Sequence, residues 1–320
     1  MSTVFIVGNG FDLDLGLRTK YEQFFKSKYF KDNVTLRDVE LIELILDPTN
    51  ENPIPFQSTP FSVFDYLAAC QNLNNWCDIE RALGNLPKFI DGNGHLNFSI
   101  SKDSFEQLHI AFADYLKSVI DEDYQSMQYT HSSFKLAKAL SYVPDLIVFN
   151  YNYTDSLERI DPVYKGNVNY VHGSLNDNSI IFGVEDKLKV PKSHNFLLKS
   201  FSPHYKSHRV RYELKYASHI IFFGHSLAKA DYHYFEGLFQ ELTSDNYNSK
   251  ERRKITIFTG DDASRREILW QIRKMNHNKT DLLFGNCDLT IFTKDSKQQD
   301  VIAFLMDIIP GNYDPSFLYE

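Results

Sequence analysis

The sequence has little of what marks secreted, membrane-spanning or disulfide-rich proteins. It contains no apolar run of about 18 residues, the length that a transmembrane helix requires. Its three cysteines, Cys70, Cys77 and Cys287, are an odd and sparse set that fits neither a disulfide framework nor a zinc site. The N-terminus lacks the basic segment, apolar run and cleavage site of a signal peptide. We therefore expect a cytoplasmic protein with no membrane partner.

Positive charge is also in deficit. The 34 lysines and arginines are outnumbered by 42 aspartates and glutamates, which gives a formal net charge of -8. Such a surface repels polyanions, so we do not expect nucleic acid as a partner. Two local basic stretches, at residues 206–215 and 250–254, are interpreted as solvated faces or helix ends.

Several catalytic signatures are missing. The sequence contains no G-x-G-x-x-G, no Walker A motif and no G-x-S-x-G elbow, which disfavours an ordinary dehydrogenase, P-loop enzyme or serine hydrolase. His204 and His208 have the i, i+4 spacing of a helical zinc site, but no glutamate follows the first histidine as a zinc protease requires. We predict no catalytic metal.

What is present is a series of short apolar runs rich in β-branched and aromatic residues, at residues 4–7, 146–149, 168–171, 180–182, 220–223 and 255–258. Runs of this kind are typical of strands buried on both faces of a parallel sheet that helices cover. Helical patterns lie between them, at residues 20–30, 105–120, 132–142, 206–217, 231–243, 262–275 and 297–308. The sequence thus predicts an α/β fold with a Rossmann-like parallel sheet.

The spacing of the strands predicts two domains. Residues 8–145 separate the first two strands, which is far more chain than one crossover needs. We therefore predict a mainly helical insertion subdomain at residues 31–140, after the first strand and helix. Residues 1–30 and 141–320 would then form the Rossmann-like nucleotide-binding core.

The first candidate site is the segment Gly8-Asn9-Gly10, directly after the first strand. Open parallel sheets bind ligands beyond the carboxyl ends of their strands. Two residues without Cβ permit a tight turn and a close approach of a phosphate to backbone donors, and Gly16 follows six positions after Gly10. A purely structural turn explains the segment equally well.

The second candidate, residues 150–155 (Asn-Tyr-Asn-Tyr-Thr-Asp), follows the second strand and precedes a predicted helix that contains Glu158. An asparagine amide can both donate and accept, which suits Asn152 to position a sugar hydroxyl or a water molecule. The alternative is an Asx turn in which Thr154 or Asp155 caps the helix.

Later strand ends carry further candidates. His172-Gly173 offers an imidazole that can act as a base near neutral pH, although a lone histidine is more often structural. Gly224-His225-Ser226-Leu227, with Asp231 beyond it, offers a hydroxyl and backbone amides for a ribose or a phosphate, or else forms a simple turn. For Gly260-Asp261-Asp262 we favour capping of the following helix.

Taken in order, these segments resemble the AbiH family of bacterial phage abortive-infection proteins. The resemblance rests on residues 8–12 (Gly-Asn-Gly-Phe-Asp) with Gly16-Leu17, residues 76–80 (Trp-Cys-Asp-Ile-Glu), residues 149–158 and Val171-His172-Gly173, and it spans most of the chain. It implies an antiphage effector, for which a phage-derived trigger is the expected partner.

A more distant resemblance is to sirtuin-like NAD-binding proteins, whose first loop reads G-A-G-I-S with a further glycine. Gly8, Gly10 and Gly16 reproduce the glycine spacing, and Asp12 stands in place of the serine.

Later segments extend this resemblance. Asn152, Tyr153 and Glu158 match an N-Y-D segment and its following glutamate, with Thr154 in place of the aspartate. His172-Gly173 is similar to the catalytic His-Gly, and residues 224–231 are similar to a late G-x-S-L...D segment.

These resemblances imply a set of site residues. Those implied to bind NAD are Gly8, Asn9, Gly10, Phe11, Gly16, Gly224, Ser226 and Asp231, with Ser226 and Asp231 at the distal nucleoside. Asn152 would position the ribose or a water molecule, His172 would act as general base or bind a ribose hydroxyl, and Asp12 would stabilise a cationic transition state. The implied activity is hydrolysis of the nicotinamide–ribose bond of NAD.

Two other functions stay open. One is a non-catalytic sensor in phage defence that binds NAD or an ADP-ribose derivative in the same pocket. The other is a nuclease-like toxin that uses acids such as Asp78 and Glu80. The sequence also leaves open whether copies of the chain form a homo-oligomer.

Overall fold

The computed structural model describes residues 2–35, 62–70, 79, 82–84, 100–127, 130–206, 208–244, 247, 252–311 and 313–319. The chain divides into two compact units. The first, which we call the sheet unit, comprises Met1–Leu17, Asp123–Asp177 and Lys206–Glu320. The second, the helical unit, comprises Arg18–Glu122 and Asn178–Tyr205.

The sheet unit is built on a parallel sheet. Its strands are β1 (Thr3–Val7), β2 (Leu146–Asn150), β3 (Val168–Tyr170), β4 (His219–Phe223), β5 (Arg253–Phe258) and β6 (Cys287–Phe292). The order across the sheet is β3-β2-β1-β4-β5-β6, with parallel pairing throughout. The predicted α/β fold with a Rossmann-like sheet is thereby confirmed. The order reverses between β1 and β4, and this switch point is where such sheets bind ligands.

Helices follow most of the strands. In the sheet unit they are α1 (Asn9–Asp14), α6 (Ser132–Leu140), α7 (Ser156–Ile160), α8 (Val210–Tyr216), α9 (Tyr232–Leu242), α10 (Asp262–Met275), α11 (Thr280–Asn286) and α12 (Gln298–Ile308). The helical unit contains α2 (Tyr21–Lys26), α3 (Lys28–Lys31), α4 (Val63–Ala69) and most of α5 (Lys102–Gln125). None of the helices in the described ranges combines the length and apolar character needed to cross a membrane.

The alternation of side chains along β1 explains why the sheet is covered on both faces. Val4 and Ile6 belong to one buried cluster, which includes Phe235 of α9 and Ile272 of α10. Phe5 and Val7 belong to a second cluster on the opposite face, which is built largely from α6 and α12. Burial of each such side chain contributes about 1.5–3 kcal/mol. A continuous apolar strand therefore has a partner layer on each side.

The helical unit has an aromatic core. The ring of Phe112 stacks on Tyr21 at 4.8 Å and meets the ring of Phe24 edge-on at 5.1 Å. Phe24 also contacts Phe30 at 5.5 Å. Edge-on and offset aromatic pairs are each favourable by about 0.5–1.5 kcal/mol beyond the area that they bury. Part of the chain's high phenylalanine and tyrosine content is therefore used for packing.

Two sequence-based expectations need correction. The predicted strand at residues 180–182 is wrong: these residues are buried in the helical unit, but they form no ladder. The chain leaves this segment through Gly183, where φ is +139° and a Cβ would lie 2.3 Å from the carbonyl oxygen of Leu197. The predicted helix at residues 20–30 is broken at Ser27, whose ψ of 162° is extended. In both segments the apolar pattern correctly predicted buried side chains, but it predicted the wrong backbone conformation.

Candidate functional site

The turns that follow β1 and β4 meet at the switch point, and glycine permits this contact. The N–H of Gly8 donates to the carbonyl of Phe223 over 2.9 Å, and that of Gly10 donates to the carbonyl of Gly224 over 3.0 Å. A Cβ at Gly10 would lie 2.6 Å from the Cα of Gly224, and one at Gly224, where φ is +64°, would lie 2.4 Å from Gly10. These glycines are required for packing between turns. Two amides of the predicted phosphate loop already bind the β4 turn.

The remaining residues of the first loop have different surroundings. Asn9 begins α1 and is half-buried. The ring of Phe11 is fully buried and lies edge-on to Phe5 at 6.2 Å and to Phe223 at 5.4 Å, so it is a core side chain. Gly16, after α1, has φ of +92° and nothing within 4 Å of the position that a Cβ would occupy. Its role is to turn the chain.

Asp12 is buried on α1 and accepts hydrogen bonds from two hydroxyl groups. Thr154 Oγ1 donates to Oδ2 and Ser156 Oγ donates to Oδ1, each over 2.6 Å. Burial raises the pKa of Asp12 to about 6, while hydrogen bonds from Ser156, Thr154 and Asn152 oppose this shift. Asp12 therefore titrates close to neutral pH, a property that is common among functional carboxyl groups.

Asn152 connects the end of β2 to the turn after β1. The side-chain oxygen of Asn150 accepts from the N–H of Asn152 over 2.9 Å, which is the Asx turn that the sequence allowed. The side chain of Asn152 itself donates through Nδ2 to the carbonyl of Gly8 over 3.1 Å. Asp155 precedes α7 without a capping bond from its side chain and accepts instead from Arg159. The amide of Asn152 is thus fixed against the first loop.

His172 follows β3 and faces Asp231, which ends a short 3-10 turn (Lys229–Asp231) before α9. Its Nε2 lies 3.6 Å from Asp231 Oδ1. The other carboxylate oxygen, Oδ2, lies 3.6 Å from Nε2 of His225, the residue that follows Gly224. The ring of Tyr151 stands edge-on to both imidazoles, at 5.3 Å from His172 and 4.5 Å from His225. The fold therefore places two buried histidines on one carboxylate.

Burial lowers the pKa of two histidines of this region, His225 and His208. Burial lowers the pKa of His225 to about 4, against the opposing effect of the Asp231 carboxylate, and the neighbouring His172 lowers it further. Burial also lowers the pKa of His208, with smaller contributions from Lys206 and His172. A neutral imidazole has one donor and one acceptor nitrogen, so the orientation of each ring matters.

Gly8 joins the two groups of side chains. Its carbonyl accepts from Asn152, and a Cβ at Gly8 would lie 2.5 Å from the Cα of His225. The residues that follow β1, β2, β3 and β4 thus form one continuous region at the carboxyl edge of the sheet. The candidate segments that contain Gly8, Asn152, His172 and Ser226, which the sequence placed at strand ends, lie in this region.

Other predicted residues lie around this region or outside the described ranges. Ser226 is exposed beside His225. Glu158 accepts from the hydroxyl of Tyr170 over 3.0 Å. Asp261 accepts from the N–H of Ser264 at the start of α10, which confirms its predicted capping role. The acids of the nuclease hypothesis, Asp78 and Glu80, lie outside the described residues.

Two residues of the site were missed at the level of sequence. His225 lies within the glycine–serine segment and Tyr151 lies between two asparagines, but the sequence patterns assigned a role to neither residue. The feature that could have identified them is an aromatic ring that stands next to a polar residue just after a strand. Across the described ranges, no set of three His, Cys, Asp or Glu side chains has the arrangement needed to hold a metal ion.

Comparison with known proteins identifies a family. The model of a family described as bacteriophage abortive infection AbiH matches residues 4–250. The match includes the strand ends after β1, β2, β3 and β4, and with them Asp12, Asn152, His172, His225 and Asp231. No curated protein and no solved structure matches the chain significantly.

Proposed function

The chain belongs to the AbiH family of bacteriophage abortive-infection proteins, which act in phage defence, and we propose that it binds NAD and hydrolyses the nicotinamide–ribose bond. The observation that carries this proposal is the placement of Asn152 and His172 on neighbouring strands. The N–H of Val171 donates to the carbonyl of Asn150 over 2.8 Å, so the two segments leave the sheet side by side. Both side chains are buried polar groups close to the switch point.

A pair of exchanged residues supports the sirtuin-like character of the site. Asp12 stands where the sirtuin-like loop has a serine, and Thr154 stands where the N-Y-D segment has an aspartate. These two residues are hydrogen-bonded to each other over 2.6 Å. The chain keeps one hydroxyl and one carboxylate and exchanges their positions. Two departures that compensate for each other are expected if the site has the same plan.

The chemistry requires little acid catalysis. When the bond between ribose C1′ and nicotinamide breaks, the ring nitrogen takes the electron pair and nicotinamide leaves as a neutral molecule. The protein must stabilise positive charge on the ribose and direct a water molecule to C1′. We assign Asn152 to positioning water or ribose and His172 to accepting a proton or binding a ribose hydroxyl. Asp12, when ionised, stabilises the positive charge through space.

The rest of the dinucleotide would lie along the turns after β1 and β4. Gly8, Gly10 and Gly224 bring these turns into close contact there. Since the amides of Gly8 and Gly10 already bind the β4 turn, the side chains of Asn9 and Ser226 are the better candidates to contact phosphate or ribose. Gly16 and the backbone of Phe11 support the shape of the loop.

The test is release of nicotinamide from NAD by the purified protein, with and without a phage lysate. The lysate arm is included because an effector that consumed NAD continuously would poison its host. We expect release that falls by about 100-fold or more in His172→Ala and Asn152→Ala. The matched controls are His204→Ala, an exposed histidine, and Asn167→Ala, an exposed asparagine that also donates to a carbonyl, and both should retain activity.

The same experiment separates the competing functions. Saturable NAD binding without release in either arm would favour the sensor. Metal-dependent cleavage of nucleic acid that is lost in Asp78→Ala and Glu80→Ala would favour the nuclease. Absence of both binding and release would overturn the proposal.

A further inference from the structure

We propose that Asp231 and His225 are positioning residues for His172. They hold its imidazole with the proton on Nε2, so that Nδ1 is the nitrogen that receives a proton during the reaction. The role in a reaction rests on the proposed function, whereas the position of the proton follows from contacts within the protein. Asp231 thereby acts on His172 rather than on the distal nucleoside.

The backbone of Leu227 fixes the tautomer of His225. Its N–H donates to Nδ1 of His225 over 3.0 Å. A ring nitrogen that accepts a hydrogen bond carries a lone pair, so neutral His225 has its proton on Nε2. Leu227 is fully buried and has φ of +50°, a left-handed conformation that costs a leucine about 1–2 kcal/mol. The donor to His225 thus belongs to a strained turn of the kind that is concentrated at functional sites.

His225 in turn faces the carboxylate of Asp231. Because Nε2 of His225 carries the proton, it presents a donor to Asp231 Oδ2 at 3.6 Å. This distance is a few tenths of an ångström longer than a hydrogen bond. Catalytic hydrogen bonds are often long before substrate binds and shorten in the complex. The His225 side chain is only 4% exposed, so little water competes for the carboxylate.

The other oxygen of the Asp231 carboxylate faces His172. Asp231 Oδ1 lies 3.6 Å from His172 Nε2. A proton on Nε2 faces the carboxylate favourably, whereas the other tautomer would direct a lone pair at an anionic oxygen. The contact with Asp231 therefore favours the tautomer of His172 whose acceptor nitrogen is Nδ1. Tyr151, edge-on to both imidazoles at 78°, limits rotation of the rings.

This arrangement gives a balanced proton transfer. A water oxygen forms the new bond to ribose C1′, and the electron pair of the C1′–nitrogen bond goes to nicotinamide. One water proton moves to Nδ1 of His172. The imidazolium that results is stabilised at Nε2 by Asp231 and later releases its proton to solvent, leaving nicotinamide and ADP-ribose as products.

The tautomer can be measured directly. Imidazole ¹³C and ¹⁵N chemical shifts of the full chain, assigned with His172→Ala and His225→Asn, should show both histidines with the proton on Nε2 at pH 7.5. In Asp231→Asn, His172 should lose this single tautomer and become a mixture. Asp288→Asn, an exposed aspartate of β6, should leave the His172 signals unchanged. A proton on Nδ1 of His172 in the wild type, or no change in Asp231→Asn, would overturn the inference.

Activity provides the second readout. Asp231→Asn should lower kcat for nicotinamide release by about 100-fold and leave KM almost unchanged, because the residue orients a base and does not bind substrate. His225→Asn keeps an acceptor for the Leu227 N–H and should lower kcat by less. Complete absence of release, with the expected tautomer, would overturn the proposed function and leave the protonation pattern standing. Release with unchanged kcat in Asp231→Asn would overturn the positioning role alone.

Discussion

The hydroxyl of Thr154 donates to the carboxylate of Asp12 over 2.6 Å, across the interface between the loop after β2 and helix α1. Both residues are almost completely buried, at 2% and 1% exposure. A buried hydrogen bond to a charged group contributes about 1.5–3 kcal/mol, and this contribution is lost when either partner is removed. This pair therefore has consequences for stability that can be measured without any ligand.

The hydrogen bond between a buried hydroxyl and a buried carboxylate predicts a change of sign in a double-mutant cycle. Asp12→Ser in the wild-type background should lower the free energy of unfolding by about 1–3 kcal/mol. Thr154→Asp should lower it further, because two carboxylates then meet in a buried position. Adding Asp12→Ser to Thr154→Asp should stabilise that variant, since a hydroxyl and a carboxylate are paired again. Urea denaturation of the four proteins measures the cycle.

An opposite result is easy to recognise. If Asp12→Ser destabilises the Thr154→Asp variant as much as it destabilises the wild type, the two side chains do not act as a pair. The compensation argument for a sirtuin-like site then fails.

The raised pKa of Asp12 predicts a pH dependence of stability. Burial raises this pKa from 3.8 to about 6, so between these values the folded protein binds a proton that the unfolded chain has lost. The stabilising contribution is complete below pH 3.8 and is lost as pH rises to 6, by about 3 kcal/mol. The Asp12→Asn variant has no carboxyl group at this position, so it does not lose this stability as pH rises. The free energy of unfolding of the variant relative to wild type should therefore rise with pH across this interval and be flat above it.

The lowered pKa of His225 predicts that the free energy of unfolding changes with pH in the opposite direction. Burial lowers its pKa from 6.5 to about 4, so the unfolded chain binds a proton that the folded protein does not. The contribution of neutral His225 to stability is complete above pH 6.5 and is lost as pH falls to 4, by about 3 kcal/mol. His225→Asn should show a flatter profile than wild type in this range. Equal slopes for the two proteins would contradict the buried neutral histidine.

The contact between the turns predicts that two glycines of the site respond very differently to alanine. A Cβ at Gly10 would lie 2.6 Å from the backbone of Gly224, so Gly10→Ala should cost about 3 kcal/mol or more or prevent folding. Gly16 has open space around it but φ of +92°, so Gly16→Ala should cost only about 1–2 kcal/mol from backbone strain. Thermal and urea denaturation check both values. Similar costs at the two positions would argue against close packing of the turns.

Much of the fold could be predicted from local pattern. The runs that became β1, β2 and β4 are continuously apolar because helices cover both faces of the sheet. β6 was missed because an edge strand alternates in burial: Cys287 and Phe292 are buried, while Asp288 is exposed. Residues 180–182 were assigned to a strand because they are buried and apolar, and burial alone does not show whether a neighbouring strand is available.

The site could be predicted only in part, because its geometry depends on the order of strands. The sequence placed Asn152 and His172 after separate strands, and these two strands are neighbours in the sheet. The contact of His225 with Asp231 and the opposition of Asp231 to His172 depend on how the chain returns after β4 through a strained Leu227. No spacing in the sequence specifies that turn. The use of Gly8 and Gly10 amides by the β4 turn likewise follows from sheet order.

The proposed NAD site lies at the carboxyl edge of the sheet, beside Asn152 and His172. The most direct measurement is a crystal structure of the His172→Ala variant with NAD, in which turnover is blocked and the ligand is intact. The account predicts the nicotinamide ribose beside Asn152 and the vacant position of the imidazole, with the pyrophosphate along the turns of Gly8 and Gly224. NAD bound elsewhere on the protein, or no NAD at a saturating concentration, would contradict it.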